Sequence, residues 1–259
     1  MKLVVKIGGA ALDNKELVKK FAVAIAGLSR EGHQVVVVHG GGAALSRTLK
    51  QLGCETSFIN GLRVTDSQTR DVAIMVLAGQ LNKQLVASMG AAGQPAIGLC
   101  GGDLGMFRAI KKVSPDLGFV GEIRSVNTDG IERLWAGGIV PVVSSLALGF
   151  DGEYYNVNAD QMASACAIAC GAHALIYLTD VPGVKGADGA VVRWLEVKSI
   201  AQMVEQATVS GGMLPKLEAC TSALKKGVTR VRILPASSAE VLPGFFTHPI
   251  EGGTEVIAS

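Results

Sequence analysis

Short runs of branched apolar residues alternate with segments of helical period along most of this chain. Leu3-Val4-Val5 reads as a buried strand. Apolar residues then recur at Leu17, Phe21, Ile25 and Leu28, and Asp13 with Glu16 forms an aspartate variant of a capping box ahead of them. Val35 to Val38 reads as a second buried strand, and Leu45, Leu49 and Leu52 share one helical face. A βαβα start of this kind implies parallel strands covered by helices on both faces. Such sheets bind ligands outside the carboxyl ends of their strands, so the residues just after each strand carry the functional information.

The alternation continues. Asp66 or Ser67 is placed to cap a long helix through Val72, Val76, Leu81 and Leu85. Ala96-Ile97-Gly98-Leu99 reads as a strand, and residues 103–125 as a glycine-punctuated antiparallel excursion. Ile131 and Leu134 mark a helix, and Ile139 to Val143 a strand. Asn158 is placed to cap a helix from Ala159 to Cys170, ahead of a strand from Ala174 to Leu178. Helices are expected near 199–207 and 215–226, then a strand at Arg230 to Leu234. A short helix follows Ser238, and Thr254-Glu255-Val256-Ile257 closes the sheet. The strands number about eight, with no internal repeat, low-complexity segment or linker. The chain reads as one α/β unit with two lobes meeting near residue 180.

Composition narrows the function classes. Of 259 residues, 49% are apolar and only 18% charged, which excludes a disordered chain. A net charge of +2 excludes a strong basic footprint for nucleic acid. Glycine is over-represented, at 33 residues, and aromatics are scarce, at 5%. That balance points to tight turns and close backbone approach, not to stacking platforms. The five cysteines, Cys54, Cys100, Cys166, Cys170 and Cys220, include no CxxC pair and fit a reducing compartment. Cys166 and Cys170 sit one helical turn apart and read as a small buried pair; a metal site is the weaker reading, with only His173 near. Gln161 to Thr179 has no formal charge, but its polar residues and Gly171 favour a helix followed by a buried strand over a membrane span. A soluble, cytoplasmic protein is expected.

Four strand exits carry glycine or small polar residues. They are Lys6-Ile7-Gly8-Gly9, His39-Gly40-Gly41-Gly42-Ala43, Asn156-Val157-Asn158-Ala159-Asp160 and Asp180-Val181-Pro182-Gly183-Val184. Glycine lets backbone amides approach an anion, and a helix N-terminus adds partial positive charge. One Gly-Gly turn alone is ordinary βα punctuation. Two at the first two strand exits, one beginning with a lysine, favour phosphate. Neither is a P-loop, and neither has GxGxxG spacing, so a dinucleotide-binding oxidoreductase is disfavoured.

Lys6 ends an apolar strand, where it either snorkels to the sheet edge or aims at phosphate oxygens. Lys216 follows Ser210-Gly211-Gly212-Met213 and is either a solvated helix-start lysine or a second such cation. Asp160 lies in the first turn of a helix. It either complements that helix's N-terminal charge or orders the two lysines. Phosphoryl transfer needs positioning and charge neutralisation more than covalent chemistry, and this set supplies both.

In order along essentially the whole chain, these segments resemble the amino acid kinase superfamily, and within it the branch acting on N-acetyl-L-glutamate. Asn60-Gly61-Leu62-Arg63-Val64-Thr65, Leu81-Asn82-Lys83, Pro141-Val142-Val143-Ser144, Thr179-Asp180 and Gly211-Gly212-Met213 up to Lys216 complete the match. The resemblance implies an open three-layer αβα sandwich around a largely parallel, eight-stranded sheet. It implies an N-terminal lobe of about 1–172 for the acyl amino acid and a C-terminal lobe of about 173–259 for ATP. The implied reaction moves the γ-phosphoryl of ATP to the γ-carboxylate of N-acetyl-L-glutamate, with Mg²⁺ carried on the nucleotide phosphates and no protein metal site. By resemblance, Lys6 and Lys216 stabilise the transition state and Asp160 orders them. Gly41, Gly42, Arg63 and Asn156 contact the substrate. Gly8 and Gly9, Asp180 to Lys185 (Asp180, Val181, Pro182, Gly183, Val184, Lys185) and Thr208, Val209, Ser210 and Gly211 meet the nucleotide.

Arg63 suits bidentate grip of a carboxylate, and Asn156 both donates and accepts. His39 is expected to serve structure or orientation, because a carboxylate nucleophile is already ionised at pH 7. Members of the family inhibited by arginine carry a helix ahead of the first strand. Here that strand begins at residue 2, so a homodimer insensitive to arginine is expected. The competing readings are a kinase for carrier-bound aminoadipate, glutamate or carbamate, and a non-catalytic nucleotide-binding regulator. The Arg63 loop and the Asn156-Val157-Asn158 segment favour the free acetylated substrate.

Overall fold

The computed structural model describes residues 1–248 and 251–258. The opening alternation folds as β1 (Lys2–Ile7), α1 (Lys15–Arg30), β2 (Gln34–His39) and α2 (Gly42–Gln51). A two-residue hairpin, β3 (Phe58–Ile59) and β4 (Leu62–Arg63), leads to a 25-residue helix, α3 (Ser67–Ala91). Then come β5 (Ala96–Leu99), β6 (Phe107–Val113), β7 (Asp116–Val126), α4 (Asp129–Ala136) and β8 (Val140–Ser144). β9 (Leu146–Gly149), β10 (Tyr154–Asn156), α5 (Ala159–Ala169) and β11 (Ala174–Thr179) follow. The remainder is β12 (Trp194–Glu196), α6 (Val197–Glu205), α7 (Met213–Lys225), β13 (Arg230–Pro235) and β14 (Thr254–Ile257).

Eight strands form one sheet in the order β12-β14-β13-β11-β1-β2-β8-β5. Every neighbouring pair is parallel except β13 with β14. The order runs outward from β1 in both directions, which places the crevice of a doubly wound sheet at the carboxyl ends of β1, β2 and β11. The excursion over residues 103–125 is the antiparallel pair β6–β7, and β9 and β10 close it into a small barrel.

The period of two along each strand feeds two cores. Leu3, Val5 and Ile7 face one core with Val35 and Val37 of β2, Ile176 and Leu178 of β11, and helices α1 and α3. Val4, Val36, Val38, Leu175 and Tyr177 face the other, under α5 and α7. Lys6 shares the parity of Val4, and its register partner on β11 is Tyr177. Sheet geometry alone therefore aims Lys6 at α5.

Several local expectations shift. Asn14, not Asp13, caps α1, accepting from the backbone N–H of Glu16 at 3.0 Å and Leu17 at 3.2 Å. Asp13 is occupied by a two-pronged pair with Arg47, both distances 2.6 Å. Asp66 caps α3, accepting from Thr69 N–H at 2.7 Å. α3 widens to π-helical geometry over Ile74–Leu81. It is long and apolar enough to span a bilayer, but Val72, Val76, Leu77, Leu81, Leu85 and Met89 are buried in the first core. Gln161 to Thr179 splits between α5 and β11, as expected. The short turn of helix near the end starts at Ala236, two residues before Ser238. β14 is not the closing strand, because β12 lies outside it.

Candidate active site

Asp160 is the second residue of α5. The Asn158 side chain accepts from the N–H of Asp160 at 2.9 Å and of Gln161 at 3.2 Å, which fixes the first turn and spares Asp160 from capping. Its carboxylate is shared by two lysines. Lys6 Nζ lies 2.8 Å from Oδ1, and Lys216 Nζ donates to Oδ2 at 2.8 Å. Lys6, Asp160 and Lys216 are 8%, 7% and 5% exposed, so neither lysine is a solvated surface cation and Asp160 is no simple helix-end charge.

Burial pushes the Asp160 carboxyl up, but the charges of Lys6 and Lys216 more than offset it, and the group ends below the ordinary carboxylate value. Burial and then the Lys6 charge pull the Lys216 ammonium below the ordinary lysine value, with Asp160 opposing. The Lys216 Nζ also sits 5.0 Å from the centre of the Tyr177 ring.

Two clefts meet here. The first, about 220 Å³, is lined by Gly41, Gly42, Arg63 and Asn156, together with Lys6 and Asp160. All four residues assigned to the substrate thus share one wall. Arg63 is buried, and one of its two terminal nitrogens, Nη2, donates to Gly42 O at 3.1 Å and Ser46 Oγ at 2.7 Å. The other, Nη1, is buried with no hydrogen-bond partner. A buried guanidinium nitrogen without an acceptor is costly, and it fits a site completed by an anionic ligand. Asn156 donates to Thr65 Oγ1 at 3.3 Å.

The second cleft, about 510 Å³, is lined by Lys6, Gly8, Gly9, Thr179, Asp180, Val181, Ser210 and Lys216 among others. The 3₁₀ turn after β1 and helix α7 begin here with Gly8 and Gly212 at their N-caps, Gly42 brings in the first residue of α2, and none of the three starts receives a side-chain cap. Glycine at these starts lets phosphate oxygens approach the backbone closely. Gly9 joins the two glycine turns. A Cβ there would stand 2.9 Å from Gly41 Cα and from the backbone nitrogens of Gly41 and Gly42. Lys6, Gly9 and Gly42 line both clefts.

The remaining nucleotide assignments fall outside this wall. Val184 and Val209 are buried in the second core. Gly183 packs against Val191 and Thr254, and Lys185 bridges to Val191. Pro182, Thr208 and Gly211 do not line the cleft. Conversely, Phe58, Leu77, Val120 and Ser145 line the first cleft without having been singled out. Ser145 lies at a strand exit and was legible by that rule; Leu77 looks like any core leucine. The five cysteines are free, with Cys166 and Cys170 both buried. No cluster of three or more metal-ligating side chains occurs among the described residues. The second cleft offers backbone, hydroxyls and two ammonium groups beside the Asp180 carboxylate, a set that fits an anion.

Residues 1–235 match the family model described as the amino acid kinase family. A protein of Koribacter versatilis named acetylglutamate kinase is 63% identical over 260 residues, covering 100% of both chains. Another of that name from Acidobacterium capsulatum is 60% identical, again over 100% of both. Among solved structures, smu.665 from Streptococcus mutans superposes with a TM-score of 0.85 at 27% identity, covering 100% of this chain and 99% of that one. The chain belongs to the amino acid kinase family.

Proposed function

We propose that this chain catalyses the ATP-dependent phosphorylation of the γ-carboxylate of N-acetyl-L-glutamate, the second step of arginine biosynthesis. The relatives at 63% and 60% identity carry the name of that activity along their full lengths. The observation that carries the reading is the placement of Asp160 with both lysines where the two clefts join.

The chemistry follows from that placement. The acyl amino acid occupies the first cleft, with Arg63 Nη1 and the Gly41 and Gly42 amides on its anionic groups and Asn156 on its amide. ATP occupies the second, with its terminal phosphates against Gly8, Gly9 and the start of α7. Asp180, Val181 and Ser210 flank it, and the segments through Lys185 and from Thr208 to Gly211 shape the outer nucleotide site. The substrate γ-carboxylate is ionised at neutral pH and needs no base. Its oxygen forms a bond to the γ-phosphorus as the bond to the β,γ-bridging oxygen breaks. The electron pair leaves on ADP, and the product is an acyl phosphate. Lys6 and Lys216 neutralise the equatorial oxygens from either side, and Asp160 keeps them apart and aimed. Mg²⁺ on the nucleotide phosphates supplies further charge neutralisation.

In this reading, residues 1–172 form the acyl amino acid lobe and 173–259 the ATP lobe. The protein acts in the cytoplasm as a homodimer; a monomer or hexamer by analytical ultracentrifugation would refute that part. The deciding experiment is hydroxamate formation from MgATP with N-acetylglutamate, glutamate or aminoadipate, each as the free acid. Turnover with N-acetylglutamate alone is expected. No turnover with any of them would overturn the reading in favour of a carrier-bound substrate or a regulator.

A further inference from the structure

The Gly40-Gly41-Gly42 turn is held from inside the core by polar groups that phosphoryl transfer does not use. Both backbone groups of Gly40 are tied. Its N–H donates to Ile7 O at 3.4 Å, and its carbonyl oxygen lies 2.9 Å from His39 Nδ1. His39 is fully buried, and its other ring nitrogen, Nε2, lies 3.1 Å from Asn82 Nδ2. Asn82 is fully buried too, and the same Nδ2 reaches Val142 O at 2.9 Å and Leu99 O at 3.4 Å.

The network has one consistent proton assignment. Two carbonyl oxygens and a ring nitrogen surround one terminal atom of Asn82. That atom must be the amide nitrogen, since an oxygen there would face two acceptors. Nε2 faces this NH₂ group and has no acceptor to donate to, while Nδ1 faces the Gly40 oxygen, which can only accept. The neutral imidazole therefore carries its proton on Nδ1 and donates it to Gly40 O. Burial keeps the ring neutral, pulling its pKa down to about 4.

The peptide between Gly40 and Gly41 is planar, so its C=O and N–H point in opposite directions. Drawing the Gly40 oxygen toward His39 turns the Gly41 N–H away from the core. Leu77 and Leu81 fill the space that a Gly41 Cβ would need. Both belong to the π-helical stretch of α3 that ends directly before Asn82. π-Helical geometry recurs at functional sites, and here it carries Leu77 and Leu81 and leads directly into Asn82.

We propose that Asn82 and His39 are positioning residues. Asn82 fixes the Nδ1–H tautomer of His39, and His39 holds the Gly40 carbonyl inward so that the Gly41 N–H faces the anionic group of the acceptor. A reversed peptide would aim a carbonyl oxygen at that anion. The proposal rests on the reading of the first cleft as the acceptor site.

Two measurements test it. Nitrogen-15 histidine NMR of the full chain, with His39 assigned by the signal lost in His39→Asn, reads the tautomer directly. A protonated Nδ1 and bare Nε2, unchanged from about pH 5.5 to 8, are expected. An Nε2–H tautomer in the unaltered protein overturns the proposal, whatever the substrate. Steady-state kinetics then compare variants of matched thermal stability. His39→Phe is expected to raise KM for N-acetylglutamate about 10-fold or more, the scale of a hydrogen bond to a charged group, while KM for MgATP stays within about twofold. His39→Asn keeps a donor for Gly40 O and recovers most of the loss. Asn82→Leu shifts the tautomer and that KM together. Equal losses for both substrates, or no recovery in His39→Asn, overturn the positioning role. If the unaltered protein fails to turn over N-acetylglutamate, the functional reading falls and the tautomer alone decides this proposal.

Discussion

The two clefts that meet at Lys6 are built from different materials. The first sets three side chains of narrow chemical identity against the Gly40-Gly41-Gly42 backbone: a buried guanidinium whose Nη1 has no partner, an asparagine, and Phe58, whose ring centre lies 4.6 Å from the Arg63 guanidinium. The second takes its polar groups from Lys6, Lys216, Thr179, Asp180 and Ser210 and from backbone at Gly8, Gly9, Gly42 and Gly212. A side-chain wall discriminates between ligands, because each unpaired buried group penalises the wrong one. A backbone wall binds phosphate whatever is attached to it. The acceptor cleft is thus the place for substrate choice, and the nucleotide cleft the place for a common donor.

The sharpest way to break the comparison is to disturb the charges at the junction of the two clefts. Asp160→Asn leaves two buried ammonium groups facing each other without their common anion. Loss of preorganised electrostatics of this kind costs about 10²- to 10³-fold in kcat. Lys6→Ala is expected to fall in the same range, with KM for MgATP changed less than about threefold. Initial rates by the hydroxamate assay check both. Equal losses in kcat and in ATP binding would return Lys6 to a plain phosphate anchor.

Gly9→Ala tests whether the two turns act as one body. Its Cβ would collide with the backbone of Gly41 and Gly42, not with a flexible side chain. Misplacing a positioning loop by about 1 Å costs on the order of 10²-fold, so kcat/KM should fall by about that much for both substrates. A fall for ATP alone would show that the glycine turns move independently.

Why one cleft was more legible than the other follows from the same difference. Arg63 and Asn156 come from the family resemblance, and their side chains carry the fork and the donor–acceptor pair that make such an assignment checkable; both line the first cleft. Backbone donors have no residue signature, so the run from Asp180 to Lys185 mixes wall residues with Val184, a core residue. Elements followed a similar rule. Long periodic segments such as α1 and α5 were readable, while β12 was not, because three residues with one buried leucine carry no pattern. Barrel closure by β9 and β10 is a tertiary event with no local trace. The α1 cap moved from Asp13 to Asn14 because Arg47, distant in sequence, claims Asp13. The π-turn of α3 left no trace either, since its apolar spacing reads as an ordinary helix.

Arg63→Lys sharpens the contrast by touching the acceptor cleft alone. A lysine keeps the charge but has no planar fork to serve Gly42 O, Ser46 and a ligand together. KM for N-acetylglutamate should rise about 10-fold, with KM for MgATP unchanged, as read by titrating each substrate at saturation of the other. A matching rise for ATP would mean that the two walls are coupled.

The smallest effect concerns the floor beneath the lysines. Tyr177 is the register partner of Lys6, fully buried, with its ring 5.0 Å from Lys216 Nζ and its hydroxyl donating to Asp160 O at 3.3 Å. A ring face under a desolvated ammonium contributes about 0.5–2 kcal/mol. The long hydroxyl contact contributes less, because hydrogen bonds weaken toward that distance. Tyr177→Leu should therefore lower kcat by about 3- to 10-fold with both KM values nearly unchanged, and Tyr177→Phe by less than about twofold. If Tyr177→Phe loses as much as Tyr177→Leu, the hydroxyl and not the ring supports the site. Tyr177 would then act on Asp160 through the first turn of α5, which places its effect on the aspartate that pairs with both lysines.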